Sequence, residues 1–552
     1  MKKITLLVII AITSLTAFAQ TETYNNALQR ARQLQQQSAD RTFTPETKLR
    51  FAQRLIDNFY VDEIDSASMD KMVQDAIVAM LKNLDPHSTY SDPEETRELT
   101  TPLDGNFSGI GIQFNMLNDT LMVVQTTPGG PCEKVGIMPG DRILSANDTV
   151  VSGAKLVNAD ILKILRGPKG TPVELKVARR GEAEPLTFNI VRDDIPVYSV
   201  DASFMADGET GYVRITRFAR DTDKELKEAL AKLKKEGMKN LIIDLEDNGG
   251  GYLGSATAIA EMFLPKGSPI VYTESPRMGT SYFTAEKDGN YRDGRLVIMV
   301  NQYSASASEI LSGAIQDNDR GLIVGRRTFG KGLVQRPFDL PDGSMIRLTT
   351  SRYHTPSGRC IQRPYTKGDR EDYDMDIVSR YNHGEMMSAD SIQFADSMRY
   401  NTLHTNRVVY GGGGIMPDLF VPVDTTGYSN YYRDLVARGI INSFAITYVD
   451  ENRDSLHARY PTEESFIKGF KITPELMDRL VAMATEKDIE PNPEQLDTSR
   501  LTIETILKGI IGRDLYNATT YYKVVYPVLN PEYKAALELI NDPKTYREKL
   551  GL

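Results

Sequence analysis

Asn240-Leu241-Ile242-Ile243-Asp244-Leu245-Glu246-Asp247-Asn248-Gly249-Gly250-Gly251 is the stretch on which the fold turns. Its first half is a near-continuous apolar run, the pattern of a strand buried on both faces, and its second half is a polar, glycine-rich turn. The runs 296–300 and 322–324 repeat the buried-strand signal, 211–215 reads as a further strand, and 222–235 is a charged amphipathic helix. Strands and helices alternating over about 194–363 predict an α/β core. Open α/β sheets gather ligands beyond the carboxyl ends of their strands. Two loops fall there: the triple-glycine turn, and residues 301–308, which precede a helix starting near Glu309.

The second loop opens the segment Ser-Ala-Ser-Ala-Ser-Glu-Ile-Leu-Ser-Gly-Ala-Ile, residues 304–315, and further on Thr328-Phe329-Gly330-Lys331-Gly332 places a lysine in a glycine turn. A serine hydroxyl is a poor nucleophile until a base takes its proton, and a lysine can do so once burial brings its pKa toward neutrality. The pairing predicts a serine–lysine hydrolase. Spacing leaves Ser304, Ser306 and Ser308 all open as the nucleophile, and Ser306 followed by Glu309 also reads as a capping box at a helix start. His354, in Ser351-Arg352-Tyr353-His354, invites a competing Ser–His–Asp reading, although it falls at what reads as a strand end.

On the amino-terminal side, about 105–192 changes to short alternating strands with glycine turns and a brief helix near 159–165. Its opening, Ser108-Gly109-Ile110-Gly111-Ile112, and its centre, Gly136-Ile137-Met138-Pro139-Gly140-Asp141, resemble a PDZ domain. That resemblance implies a backbone loop over Gly109, Ile110, Gly111 and Ile112 that captures a terminal carboxylate while the ligand adds as an edge strand. Residues 44–84 show two stretches of helical periodicity and predict two packed helices, the second ending at Pro86. The last stretch, about 425–552, is mostly helical and carries no chemistry legible in the residues. Tyr410-Gly411-Gly412-Gly413-Gly414 marks backbone turns, since no Gly-Lys-Ser follows it.

The 552 residues suit three or four domains at roughly 100–200 residues each. A net charge of −10 argues against a nucleic-acid partner. Lys2 and Lys3, an apolar run over 4–12 and Ala17-Phe18-Ala19 read as a secretory signal peptide cut after Ala19, and hence as export. Cys132 and Cys360 are expected to be free thiols. The five histidines are scattered without ligand spacing, so no metal and no cofactor is expected.

In order along the chain, Leu84-Asp85-Pro86-His87-Ser88-Thr89-Tyr90, the PDZ-like module, Asp244-Leu245 with Asn248 and the glycines, Ser304–309, and Thr328-Phe329-Gly330-Lys331-Gly332 with Gln335 resemble the carboxy-terminal processing proteases. The resemblance covers about 45–424. It implies a multidomain α/β protease core with a β-rich PDZ domain, an N-terminal helical segment and a C-terminal helical extension. The divisions that follow are a signal peptide over 1–19, an N-terminal helical region over 20–103, a PDZ domain over 104–193, the core over 194–424 and the extension over 425–552. It also implies Ser306 as nucleophile, Lys331 as base and Gln335 as the residue that orients the amine. The oxyanion donors would be the backbone N–H groups of Ala307 and Gly250, with Gly249 or Gly251 as alternatives to the latter. Asp317 is expected to be structural. Substrates would be proteins or peptides with accessible C-termini. The signal peptide, with no cell-wall sorting pattern beside it, points to a bacterial periplasm, and by analogy with other helical extensions residues 425–552 are a candidate site of homo-oligomer contact. A non-catalytic PDZ scaffold on a degenerate core is the rival reading, against which Ser306, Lys331 and Gln335 stand together. One departure is Glu246, where this resemblance leads one to expect arginine after Asp-Leu.

Overall fold

The computed structural model describes residue 29, residues 44–117 and residues 119–552. The expected signal peptide over 1–19 and its cleavage site lie outside the described residues. The described chain forms two units, one ending at Leu81 and the other running over Lys82–Leu552.

In the first unit, α1 (Pro45–Phe59) starts at Thr44, whose hydroxyl accepts the Thr47 N–H, with Pro45 at the first helical position. A second helix, α2 (Ser66–Lys82), follows. Both helices were expected from periodicity, but their close packing is not seen: α1 has no buried residue, and Leu49 is 51% exposed. The chain leaves α2 at Lys82, ahead of the proline that was expected to end it.

The second unit begins with β1 (Thr89–Ser91) and α3 (Pro93–Asp104), the latter started by a capping box between Asp92 and Glu95. The PDZ-like module follows: β2 (Asn106–Gly109), β3 (Ile112–Leu117), β4 (Thr120–Thr126), β5 (Arg142–Ala146), β6 (Thr149–Val150), α4 (Asn158–Leu165), β7 (Pro172–Ala178), β8 (Leu186–Val191) and β9 (Asp193–Pro196). Its sheet runs β3-β4-β5-β7-β8, with β6 beside β5, so β3 is an edge strand. Asp141 of Pro139-Gly140-Asp141 is buried, and Arg179 donates to both of its oxygens at 2.8 and 2.7 Å.

The core sheet runs β10 (Val200–Met205), β11 (Thr210–Ile215), β12 (Asn240–Asp244), β15 (Leu296–Val300), β16 (Leu322–Gly325) and β19 (Leu419–Phe420). From β11 to β19 every pairing is parallel, and β10 alone is antiparallel. One face is covered by α5 (Thr222–Lys235), α6 (Leu253–Glu261) and α7 (Ala307–Asp317), which bury Leu230, Ile259 and Leu311 against Ile243 and Ile298. A second sheet forms from β13 (Pro269–Ser275), β14 (Gly279–Thr284), β17 (Leu333–Asp339) and β18 (Met345–His354), with β1 pairing β18.

The other face of the core sheet is covered by the end of the chain. Tyr533, Ala536, Leu539 and Ile540 of α8 (Pro531–Asn541), with Tyr546 and Leu550 beyond it, pack on Tyr212, Ile242, Val297 and Val324. A parallel sheet needs both faces covered. The helical extension therefore ends as a layer of the core. Earlier helices of that region meet the PDZ-like module: Asp450 accepts from Arg142 and Arg180 at 2.7 and 3.2 Å, and the Arg513 carbonyl accepts from Gln125 at 2.7 Å.

Candidate active site

A cleft of about 360 Å³ opens where β12 and β15 end, lined by Gly249, Gly250, Gly251, Ser306, Lys331 and Gln335 among others. The loops that meet there are those the strand-end rule selects.

The three serines of the run part company in the fold. Ser304 donates to the Leu245 carbonyl at 2.7 Å and accepts the Asn301 N–H, while Ser308 donates to the Asn248 carbonyl at 2.8 Å. Both are fully buried, and their hydroxyls pin the serine loop to the glycine turn. Ser306 lines the cleft. It directly precedes α7, with φ 56°, a conformation that costs a non-glycine residue of order 1–3 kcal/mol.

That strained position is held by Glu309. Its Oε2 accepts the N–H of Ser306 at 2.8 Å and that of Lys331 at 2.9 Å, and its Oε1 accepts the Thr328 hydroxyl and the Gly330 N–H at 2.6 and 2.7 Å. The capping-box reading of Ser306 and Glu309 thus holds on the carboxylate side, and the same carboxylate carries the lysine turn. Burial still pushes the Glu309 carboxyl upward against these four donors. The glycine run supports the turn from behind: Ile415 N–H donates to the Thr328 hydroxyl, and a Cβ at Gly414 would lie 2.6 Å from the Thr328 carbonyl.

Lys331 is brought to the same cleft. Burial lowers its pKa from the ordinary 10.5 to about 8, and Arg347 pushes the same way, opposed by Glu309 and Asp85. Among the described residues no hydrogen bond joins Ser306 Oγ to Lys331 Nζ. Gln335 also lines the cleft, but its Nε2 donates to Thr349 Oγ1 at 3.1 Å, and Thr349 donates on to Asp85 at 2.9 Å.

Asp85 and His87, which sequence reasoning left as landmarks, therefore belong to the surroundings of the base. Asp85 accepts from the N–H groups of His87 and Ser88 and from the Ser88 hydroxyl at 2.6 Å. His87 is pushed down to about 3 by burial, then by Lys331, and its Nε2 meets the Tyr373 hydroxyl at 2.9 Å. The signal in the sequence was Asp-Pro-His-Ser itself, a carboxylate followed by a turn and a hydroxyl, but nothing local said that it would fold against a lysine nearly 250 residues away.

The two backbone donors differ. Ala307 N–H, at the first position of α7, has no acceptor among the described residues. Gly250 N–H donates to Asn248 Oδ1 at 2.9 Å in this arrangement, so Gly250 is close to the serine without offering a free N–H. Its φ is +102°, and a Cβ there would lie 2.7–2.9 Å from Ala305 O, Ser306 Cβ and Ala307 N.

Asp317, His354 and Glu246 do not line the cleft. Asp317 forms a fully buried pair with Arg359 at 2.6 Å and holds the Ser357 turn. His354 stacks on Tyr272 at 4.7 Å between ring centroids and faces Glu274, so no Ser–His–Asp group forms with Ser306. Glu246 turns from the cleft to accept from Asn530 at 2.8 Å, and burial pushes its carboxyl well up. The arginine beside Asp244 comes instead from the neighbouring strand: Arg214 donates to Asp244 at 2.6 Å and to the Glu246 carbonyl at 3.1 Å. In the PDZ-like module, Gly109 ends β2 and Ile112 begins edge strand β3. Gly111 between them has φ +76°, and Ile110 is buried. Cys132 and Cys360 are free thiols.

The PDZ domain family matches residues 108–190, peptidase family S41 matches 209–372, and a family of unknown function matches 431–517. The chain is 37% identical over 297 residues to the carboxy-terminal-processing protease of Bartonella bacilliformis, across 53% of this chain and 67% of that protein. It is 34% identical over 379 residues to the carboxy-terminal processing protease CtpA of Bacillus subtilis, across 67% of this chain and 78% of that protein. Among solved structures, the photosystem II D1 C-terminal processing protease is 29% identical with a TM-score of 0.33, over 56% of this chain and 83% of that one.

Fold, cleft and relatives together define a serine-type peptidase that carries a PDZ domain. The chain belongs to the carboxy-terminal processing proteases of peptidase family S41.

Proposed function

We propose that this chain is an exported endopeptidase, working in a bacterial periplasm, that takes hold of polypeptide C-termini through its PDZ domain and cuts by a serine–lysine mechanism. The observation that carries the mechanism is a lysine amine, buried in the cleft with its pKa brought down to about 8, on a turn tied through one carboxylate to the serine loop. Neutral Lys331 takes the Ser306 proton, and Ser306 Oγ attacks the peptide carbonyl. The amine passes the proton to the leaving nitrogen, and a water deprotonated by the same lysine releases the acyl group. Gln335 gives up Thr349 to orient the amine, and Ala307 N–H, joined by a donor from the glycine turn, receives the oxyanion.

Export rests on the basic, apolar and small-residue pattern of residues 2–19. Recognition of C-termini rests on the loop at Gly109, Ile110, Gly111 and Ile112 leading into an edge strand with one free side. Self-association through 425–552 stays part of the proposal, restricted to surfaces not already spent on the core and the PDZ domain.

The test is hydrolysis of a fluorogenic protein substrate by wild type, Ser306→Ala and Lys331→Ala. Turnover is expected in the first alone; equal rates in wild type and Ser306→Ala would leave a binding scaffold as the reading. Mass spectrometry of peptides retained by Ser306→Ala would identify substrates and their cut sites.

A further inference from the structure

The cleft holds a second cation that the mechanism does not use. Arg347 sits on β18, opposite Pro337 of β17 and Thr89 of β1, and it lines the cleft together with Met345 and Tyr353 of the same strand. Lys331 and Arg347 are the charged residues among those lining the cleft, and none of the lining residues is acidic.

Arginines buried elsewhere in the described chain are hydrogen-bonded, either to carboxylates or, like Arg192, to backbone carbonyls. Arg359 pairs with Asp317 at 2.6 Å, Arg214 with Asp244 at 2.6 Å, and Arg407 with Asp418 at 2.5 Å. Arg347 differs. Among the described residues its guanidinium has no ion pair and no hydrogen bond at any nitrogen, whereas Arg214, whose Nε is likewise buried without a partner, bonds through its other two nitrogens; the charges beside Arg347 are cations, Arg370 and Lys331. Arg347 is half-buried, so its charge is only partly hydrated, and a ligand that supplies the missing acceptor offsets the hydration already lost.

We propose that Arg347 is an anion-receiving subsite of the peptidase cleft, whose guanidinium takes a carboxylate of the polypeptide substrate beside the bond to be cut. The proposal rests on the serine–lysine reading of the same cleft. A guanidinium presents two parallel N–H donors that match a carboxylate, so the contact fixes the substrate's register as well as adding affinity. Two parts of a polypeptide carry that group: the free α-carboxylate of a short tail beyond the cut, and the side chain of Asp or Glu near it.

Two peptide pairs separate these sources, one with a free or amidated C-terminus, the other with Glu or Gln at the positions flanking the cut. kcat/KM is measured for each pair with wild type, Arg347→Gln and Arg347→Lys, and Kd for the same pairs on the Ser306→Ala protein with and without Arg347→Gln. Wild type is expected to prefer the anionic member of one pair by about tenfold or more, as for a charge-assisted hydrogen bond. Arg347→Gln should bring that ratio near one, and Arg347→Lys should keep part of it. The pair that responds names the source. Ratios near one for both pairs in wild type overturn the proposal, as does a preference that Arg347→Gln leaves intact, which would belong to the PDZ loop. If no peptide is cut, the serine–lysine reading fails by itself, and the ratios of Kd still decide whether Arg347 receives a carboxylate.

Discussion

The backbone N–H groups of Ser306 and Lys331 converge on one oxygen, Glu309 Oε2, at 2.8 and 2.9 Å. A single buried carboxylate thereby sets the separation of the two loops that carry the candidate nucleophile and base. Glu309→Gln keeps the shape but replaces one acceptor oxygen with an NH2 that faces donors. Stability should fall by about 2–4 kcal/mol, and kcat should fall about 100-fold or more with a small change in KM. Denaturant melts and steady-state kinetics check both; unchanged kcat would remove Glu309 from the machinery.

The pH profile follows from which form of Lys331 works. With a pKa lowered to about 8, the neutral amine forms as pH rises through that value, so kcat/KM should climb from pH 6.5 to 9 with an apparent pKa near 8. His87, pushed down to about 3, is neutral across this range and leaves the limb to Lys331. A limb near the ordinary histidine value would count against lysine as the base.

Stability should run opposite to activity at the same residue. Because folding lowers the Lys331 pKa from 10.5 to about 8, the unfolded chain binds an extra proton between those values, so the cost of burial is fully present below about pH 8 and is lost as pH rises from there to 10.5. Lys331→Met should therefore be inactive yet more stable by ~1–3 kcal/mol at pH 7, the gain fading as pH rises through about 10.5. Thermal or urea unfolding of both proteins at pH 7 and pH 10.5 tests the sign.

Gly250 tolerates no side chain, with a Cβ placed 2.7–2.9 Å from the serine loop at φ +102°. Gly250→Ala should push Ser306 and Ala307 out of place and lower kcat about 100-fold, while peptide affinity of the isolated binding step changes little. Comparable loss in KM alone would place the residue in substrate binding.

His354→Ala removes a ring stacked on Tyr272 outside the cleft and should keep at least about half of wild-type kcat/KM, the mark of a packing residue. Inactivation in a folded His354→Ala protein would revive the serine–histidine reading.

Much of this protein is written locally. The apolar runs at 240–245 and 296–300, each closed by a polar turn, are sufficient to call an α/β sheet and to say which loops meet at its edge, because a parallel strand buried on both faces leaves an unbroken apolar signature. Ser-x-x-Glu and the glycine turn around Lys331 are likewise readable where they stand. Other decisions are made by contacts between distant segments, which no window of sequence contains. Ser304 and Ser308 are removed as candidates only by their bonds to Leu245 and Asn248. Arginine is supplied to Asp244 from Arg214 on the next strand, Asp85 reaches Gln335 through Thr349, and the last helices, silent as sequence, close the second face of the sheet. Local pattern fixes which atoms are available, while burial and pairing across the fold decide which hydroxyl stays free and which amine gives up its proton more readily.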